Sequence, residues 1–211
     1  MTTRSPRRER RARHGAGTRR NEILTLACDV IAEKGFAAAT MRDVADAVGI
    51  LPGSLYHHFT SKDEIARELL ESFYADVVRD LQEILDLDLS AGDTLAKMIE
   101  LSCRYVVERR SQAAFALRDF NTLALEPTFH AAVQLSDEVE RMWTDVLRRG
   151  MQTGQFRRDL SPNLVFRTVI ASLYATIQWY EPTGEISPTE FTAQMRVLIL
   201  DGVRYGEHES D

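Results

Sequence analysis

The chain has 211 residues, 44% of them hydrophobic and 27% charged, with a formal net charge of −6; this is the make-up of an ordinary globular protein, one large domain or a small one joined to a larger. Its two cysteines, Cys28 and Cys103, both fall within helical patterns, which excludes a disulfide framework and fits a reducing compartment. No apolar run follows the N-terminal arginines as a signal peptide requires, and the longest uncharged stretch of the apolar C-terminal region, Thr168 to Tyr180, has 13 residues, fewer than the roughly 20 of a spanning helix.

Residues 1–17 (MTTRSPRRERRARHGAG) lack apolar periodicity and read as a disordered basic arm. Eight arginines against one glutamate fall within residues 1–20. Over residues 1–60 there are 10 Lys/Arg against 6 Asp/Glu, and over residues 61–211 there are 16 against 26. A basic head on an acidic body points to a polyanion met by the head alone.

From there the pattern is helical almost throughout, with no sustained period-two alternation. A first helix is expected from about Thr18 to Lys34, burying Ile23, Leu26, Ala27, Val30 and Ile31 and stopped by Gly35. Thr40 caps a second helix with Asp43 in the capping-box position, and Val44, Ala45 and Val48 precede Gly49. A short helix carrying Tyr56, His57 and His58 follows Pro52. Then Thr60 or Ser61 caps a long helix to about Leu85, for which Ser61 and Glu64 offer a second box. Its buried line is Ile65, Leu69, Phe73, Val77, Leu81 and Ile84. Further helices are expected near 93–110, 112–124 and 128–152. Ser161-Pro162 and Ser187-Pro188 each set a capping hydroxyl before a proline at the first helical position, and Glu190 completes a box with Ser187. The helix 162–180 is apolar nearly all round, so it needs cover beyond its own core, from a second subunit. The expectation is an all-α chain of about nine helices. It divides into a helix-turn-helix unit at 18–65 and a helical body at 66–211 for ligand binding and dimerisation.

The stretch "TMRDVADAVGILPGSLYHHF" (Thr40 to Phe59) has helix-turn-helix spacing. Ala45 lets two helices approach, Gly49 supplies a positive-φ turn, and Leu55 anchors the second helix. A recognition helix can be short because it presents only a few side chains to a major groove. Pro52, Gly53 and Ser54 keep its start slim, and Tyr56, His57, His58 and Lys62 are candidate phosphate donors.

These residues, with "GSLYHHFTSKDEI" and the acidic helical body behind them, resemble the TetR family of transcriptional regulators over residues 18–70. The resemblance implies that Thr40, Tyr56, His58 and Lys62 contact phosphates, and that Arg42, Ser54 and His57 lie near base edges. Leu51 departs from it, since many relatives have a capping Ser or Thr there. "RMWTDVLRRGMQTGQFRRDL" and "IQWYEPTGEISP" further resemble the actinobacterial regulators of lipid and cholesterol-ring catabolism that respond to CoA thioesters. A CoA site calls for cations. None occurs between Arg167 and Arg196, which leaves Arg104, Arg109, Arg118 or Arg148 to supply them.

The resemblance also implies a ligand cavity in the body, with Phe73, Tyr105, Phe115, Phe120, Trp143, Phe166, Tyr174 and Gln178 as its candidate lining. Taken singly, such aromatics are more often core. Adjacent His57 and His58 point about 100° apart on a helix and make no metal site. No phosphate-binding glycine loop, H-E-x-x-H or G-x-S-x-G is present, so neither catalysis nor a cofactor is expected. The expected protein is a cytoplasmic, homodimeric repressor without a membrane partner. It binds a palindromic double-stranded DNA operator and is released by a lipophilic or acyl-CoA-type effector. The alternatives are an activator, or a helical binding protein or enzyme in which the helix-turn-helix is only architecture.

Overall fold

The computed structural model describes the backbone of residues 6–204 and the side chains from Arg19 onward. Among these residues there are ten α-helices. They are α1 (Pro6–Lys34), α2 (Met41–Val48), α3 (Pro52–Leu55), α4 (Lys62–Leu85), α5 (Ala91–Glu108), α6 (Arg110–Arg118), α7 (Phe120–Leu123), α8 (His130–Gln152), α9 (Pro162–Ala175) and α10 (Pro188–Val203). A single isolated β-bridge, Phe156 with Arg204, is the only extended pairing described.

The first correction concerns α1. It begins at Pro6 rather than near Thr18, so the expected arm continues the helix from residue 6; residues 1–5 lie outside the described residues. Proline suits a first turn, and the Arg and Ala that follow are good helix formers. The expected stripe is in place: Ile23, Ala27 and Ile31 are fully buried, and Leu26 and Val30 pack against the same core.

The caps divide by mechanism. Thr40 accepts from the Asp43 amide at 3.1 Å while the Asp43 carboxylate accepts from the Thr40 amide at 2.9 Å, a complete box. With Lys34 at 2.5 Å, these bonds hold the Asp43 carboxyl down at about 2. Ser187 and Glu190 make the same box on α10. The box expected on α4 is only half made. Ser61 accepts from the Glu64 amide, but the Glu64 carboxylate turns back to the Thr60 amide and hydroxyl, at 2.7 and 2.8 Å. Ser161 makes no side-chain cap at all; Pro162 alone sets the start of α9.

Two expected helices are broken. The helix expected over 112–124 is α6 and α7, divided at Asp119, whose carboxylate accepts from the Phe36 amide at 3.4 Å. The helix expected over 162–180 ends at Ala175 and tightens to a 3-10 turn over Thr176–Gln178. These breaks accompany contacts with segments far away in sequence, so local periodicity does not show them.

Packing places α4 at the centre. Its start lies against α1, and its later turns pack on α5 and α8. α9 lies over α8, and α10 lies along α5. α6 reaches back to the first unit, where Arg118 donates to the Ile31 and Ala32 carbonyls at 2.6 and 2.8 Å and so caps the C-terminus of α1. Both cysteines are buried free thiols, pushed up to about 12 by burial. No helix among the described residues is long and apolar enough to cross a membrane.

At Gly150 a Cβ would lie 2.0 Å from the ring of Phe156, itself buried. Gly150→Ala should therefore displace Phe156 and destabilise the body by about 1–3 kcal/mol, the usual cost of overpacking. Thermal unfolding measures it; an unchanged midpoint would mean that the ring moves freely.

Candidate nucleic-acid interface and internal cavity

α2 and α3 meet through the residues that the spacing singled out. Ala45, Leu55 and Phe59 are fully buried. Gly49 has φ +72, and the Ile50 amide behind it donates to the Ala45 carbonyl at 3.0 Å, the bond that closes a left-handed helix end. Nothing lies within 4 Å of a Cβ built at Gly49, so backbone conformation rather than space calls for glycine there.

α3 itself is one turn long. The sequence puts Tyr56, His57 and His58 on it, but they lie on the turn that follows. Thr40, Arg42, Pro52, Gly53, Ser54, Tyr56 and His57 are all exposed, and His58 is half-buried. Arg42 pairs loosely with Asp46, at 4.0 Å, and leaves most of its side chain in solvent. The Lys62 ammonium donates to the carbonyls of Phe36, Ala37 and Ala39 at 2.5, 3.4 and 2.8 Å and sits over the Phe36 ring. An ammonium has three donors, and through these carbonyls Lys62 ties the α1–α2 turn to α4.

Arg20, which the sequence placed in the head's positive charge, is also committed. Its guanidinium donates to the His58 carbonyl, to Glu64 at 3.0 Å, and to both oxygens of Glu68. It also stacks over the Phe59 ring, 3.9 Å from the centroid. This one side chain joins α1, the turn after α3 and the first turns of α4. Its absence from the expected sites is understandable, because its partners lie 38 to 48 residues away.

Behind this unit, α4, α5, α8 and α9 enclose a cavity of about 80 Å³. Phe73, Tyr105, Trp143, Phe166 and Tyr174 line it as expected. Phe115, Phe120 and Gln178 do not: Phe115 stacks on Phe36, Phe120 packs against Tyr74, and Gln178 is exposed. Sequence reasoning missed the polar part of the wall, Tyr74, Ser102 and Ser136. Burial raises Tyr74 to about 12 and pushes the Tyr174 hydroxyl up as well, so both stay neutral donors. Among the described residues no charged side chain lines the cavity. Of the four arginines considered for a CoA, Arg118 is held by α1, Arg109 pairs with Asp76 at 2.6 Å, and Arg148 pairs with Asp145 at 2.7 Å. Arg104 borders a groove of about 860 Å³ between α4, α5 and α10, which shares Leu101 with the cavity and also carries Lys97 and Arg196.

Residues 23–69 match the family model for bacterial regulatory proteins of the tetR family, and residues 88–203 match that for the tetracyclin repressor-like C-terminal domain. The chain belongs to the TetR family. It is thus a helix-turn-helix transcriptional regulator. It is 34% identical over 186 residues to the HTH-type transcriptional repressor KstR2 of Mycolicibacterium smegmatis, covering 88% of this chain and 91% of that one. With KstR2 of Rhodococcus jostii it shares 33% over 189 residues, 90% of this chain and 93% of the relative. The structure of the ketosteroid transcriptional regulator KstR2 of Mycobacterium tuberculosis superposes with a TM-score of 0.83 at 33% identity, over 89% of this chain and 96% of that one. In this TetR-family chain, then, α2 and α3 with the turn to Phe59 lie within the N-terminal family match, and the walls that α5, α8 and α9 give the cavity lie within the C-terminal one.

Proposed function

We propose that the chain is a homodimeric repressor of the cytoplasm, released from a palindromic operator by a lipophilic effector of the ketosteroid type carried as a CoA thioester. The observation that carries this reading is α4. Its first turns hold the DNA-reading unit through Glu64, Glu68 and Arg20, and Phe73, Tyr74, Val77 and Leu81 of the same helix line the cavity. Ligand pockets usually measure about 300–1,000 Å³. A polycyclic or acyl ligand therefore enters the 80 Å³ cavity only by moving the helices around it, and α4 carries that movement to the reading unit. The neutral wall with its tyrosine and serine hydroxyls suits an apolar body bearing a carbonyl or hydroxyl. The groove outside holds Lys97, Arg104 and Arg196 beside Asp80, Glu83, Glu100 and Glu108, so an anionic part would bind there only by drawing Arg104 from Asp80 and Arg196 from Glu100. The likeness to KstR2, a repressor and a ketosteroid regulator, supports the same class.

The dimer rests on apolar surface. Leu164 on α9, Trp179 just after the 3-10 turn that follows it, and Val197 and Leu198 on α10 are 53% to 70% exposed. They cluster on the last two helices, where a second copy would cover them and set two reading units about 34–36 Å apart on the operator.

Native mass spectrometry of the chain purified from its own host, followed by operator titration with the bound compound, tests the reading. The expected result is a dimer carrying a CoA thioester that weakens operator binding, while operator weakens effector binding by the same factor. A monomer, or a ligand without effect on DNA, would count against it. On the DNA side, Tyr56→Phe should weaken all sites about equally, whereas Arg42→Ala should relax base preference, by about 1–3 kcal/mol at one position. The reverse pattern in a binding selection would exchange their roles.

A further inference from the structure

We infer that Leu51 reads the 5-methyl group of a thymine in each half-site and so sets part of the operator sequence; the inference rests on the DNA-binding reading above. Leu51 is the residue just before α3, extended at φ −67 and ψ 143, and it is 77% exposed. One exposed leucine is ordinary on a protein surface. This one, however, occupies the N-cap, the position where Ser, Thr, Asp or Asn would satisfy a helix amide, and it makes no side-chain hydrogen bond. The core does not need it either. Ile50 before it packs against the core, and Leu55 after it is fully buried. The side chain thus serves neither the helix nor the interior.

Its place decides what it can serve. The N-terminal residues of a recognition helix are those that reach base edges. Residues 51 to 54 form an unbroken exposed run there, and nothing lies within 4 Å of a Cβ built at Gly53 to hold DNA away. A leucine has no donor for a phosphate, and beside one it would only displace water. In the major groove a single feature is apolar, the thymine methyl, and contact with it is how an apolar side chain distinguishes T·A from the other pairs. A capping hydroxyl there would favour any sequence alike; leucine in its place gives selectivity instead.

The test uses the full chain. Operators are selected from random duplexes, and each thymine is then replaced singly by uracil, which keeps the base pair and removes only the methyl. At one position per half-site the wild type should bind about fourfold more weakly, and on the order of tenfold when both half-sites are changed, the worth of a lost methyl contact. Leu51→Ala should bind thymine and uracil operators equally, and Leu51→Met should regain the difference. Thermal midpoints of both variants should match the wild type, as the side chain is outside the core. Specific binding with no uracil-sensitive position, or a sensitivity that survives in Leu51→Ala, overturns the inference and leaves the DNA-binding reading intact. Failure to select any operator overturns both.

Discussion

Trp143→Ala should cost about 3–5 kcal/mol of stability, the largest effect of any single truncation in the body. Trp143 on α8 is 1% exposed, lines the cavity and packs at 6.0 Å on Phe166 of α9. Its removal merges the indole's space with the existing cavity, and helices held at both ends close such a void only in part. The thermal midpoint should fall by roughly 10 °C or more for a chain of this size. A second readout separates a cavity from general disruption. Indole, added in excess, should raise the midpoint of Trp143→Ala by filling the void and leave the wild type unchanged. A variant that loses stability without rescue would show that α8 or α9 has shifted to close the space. Rescue would further show that the interior of this domain accepts a flat apolar molecule, which the proposed effector requires.

What the sequence made legible, and what it left hidden, follows from the range of the interactions involved. The Thr40–Asp43 box, the Ser187–Glu190 box and the glycine turn at Gly49 are complete within a few residues, and each stands as expected. The spacing from Ala45 through Gly49 to Leu55 suffices to place the packed turn between α2 and α3. The ties of Lys62 are hidden from local pattern because its three carbonyls lie 23 to 26 residues earlier on the α1–α2 turn. The breaks at Asp119 and Ala175 accompany contacts that no local period records. In the cavity, aromatic type identified five lining residues but also drew in Phe115 and Phe120, which are equally aromatic and turned elsewhere. Tyr74 was passed over although it follows Phe73, because two successive helical residues point in different directions. Only the packing of α4 between α5, α8 and α9 shows that both reach the same space.

Arg20→Ala should abolish operator binding while leaving a folded protein. The substitution removes a donor from the His58 carbonyl, leaves Glu64 and Glu68 facing each other one turn apart on α4, and uncovers the Phe59 ring. Hydrogen bonds to charged groups are worth about 1.5–3 kcal/mol. With the guanidinium about a third exposed, the lower part of that range applies to stability. Binding should suffer more than folding. His58 belongs to the turn that carries Tyr56 and His57, and this carbonyl is the point at which α1 and α4 together fix that turn. In the proposed dimer two reading units must hold their spacing to engage both grooves at once, so a loosened turn would weaken each half-site. Arg20→Lys keeps the charge but not the fork that spans Glu64, Glu68 and the carbonyl, and it should recover stability before it recovers affinity. Circular dichroism melts, together with operator titrations well below the midpoint, separate the two effects. Native affinity in a destabilised Arg20→Ala would confine Arg20 to holding helices together. Lost affinity at a native-like melt would show that the geometry of the turn, set from α1 and α4, is what the operator requires.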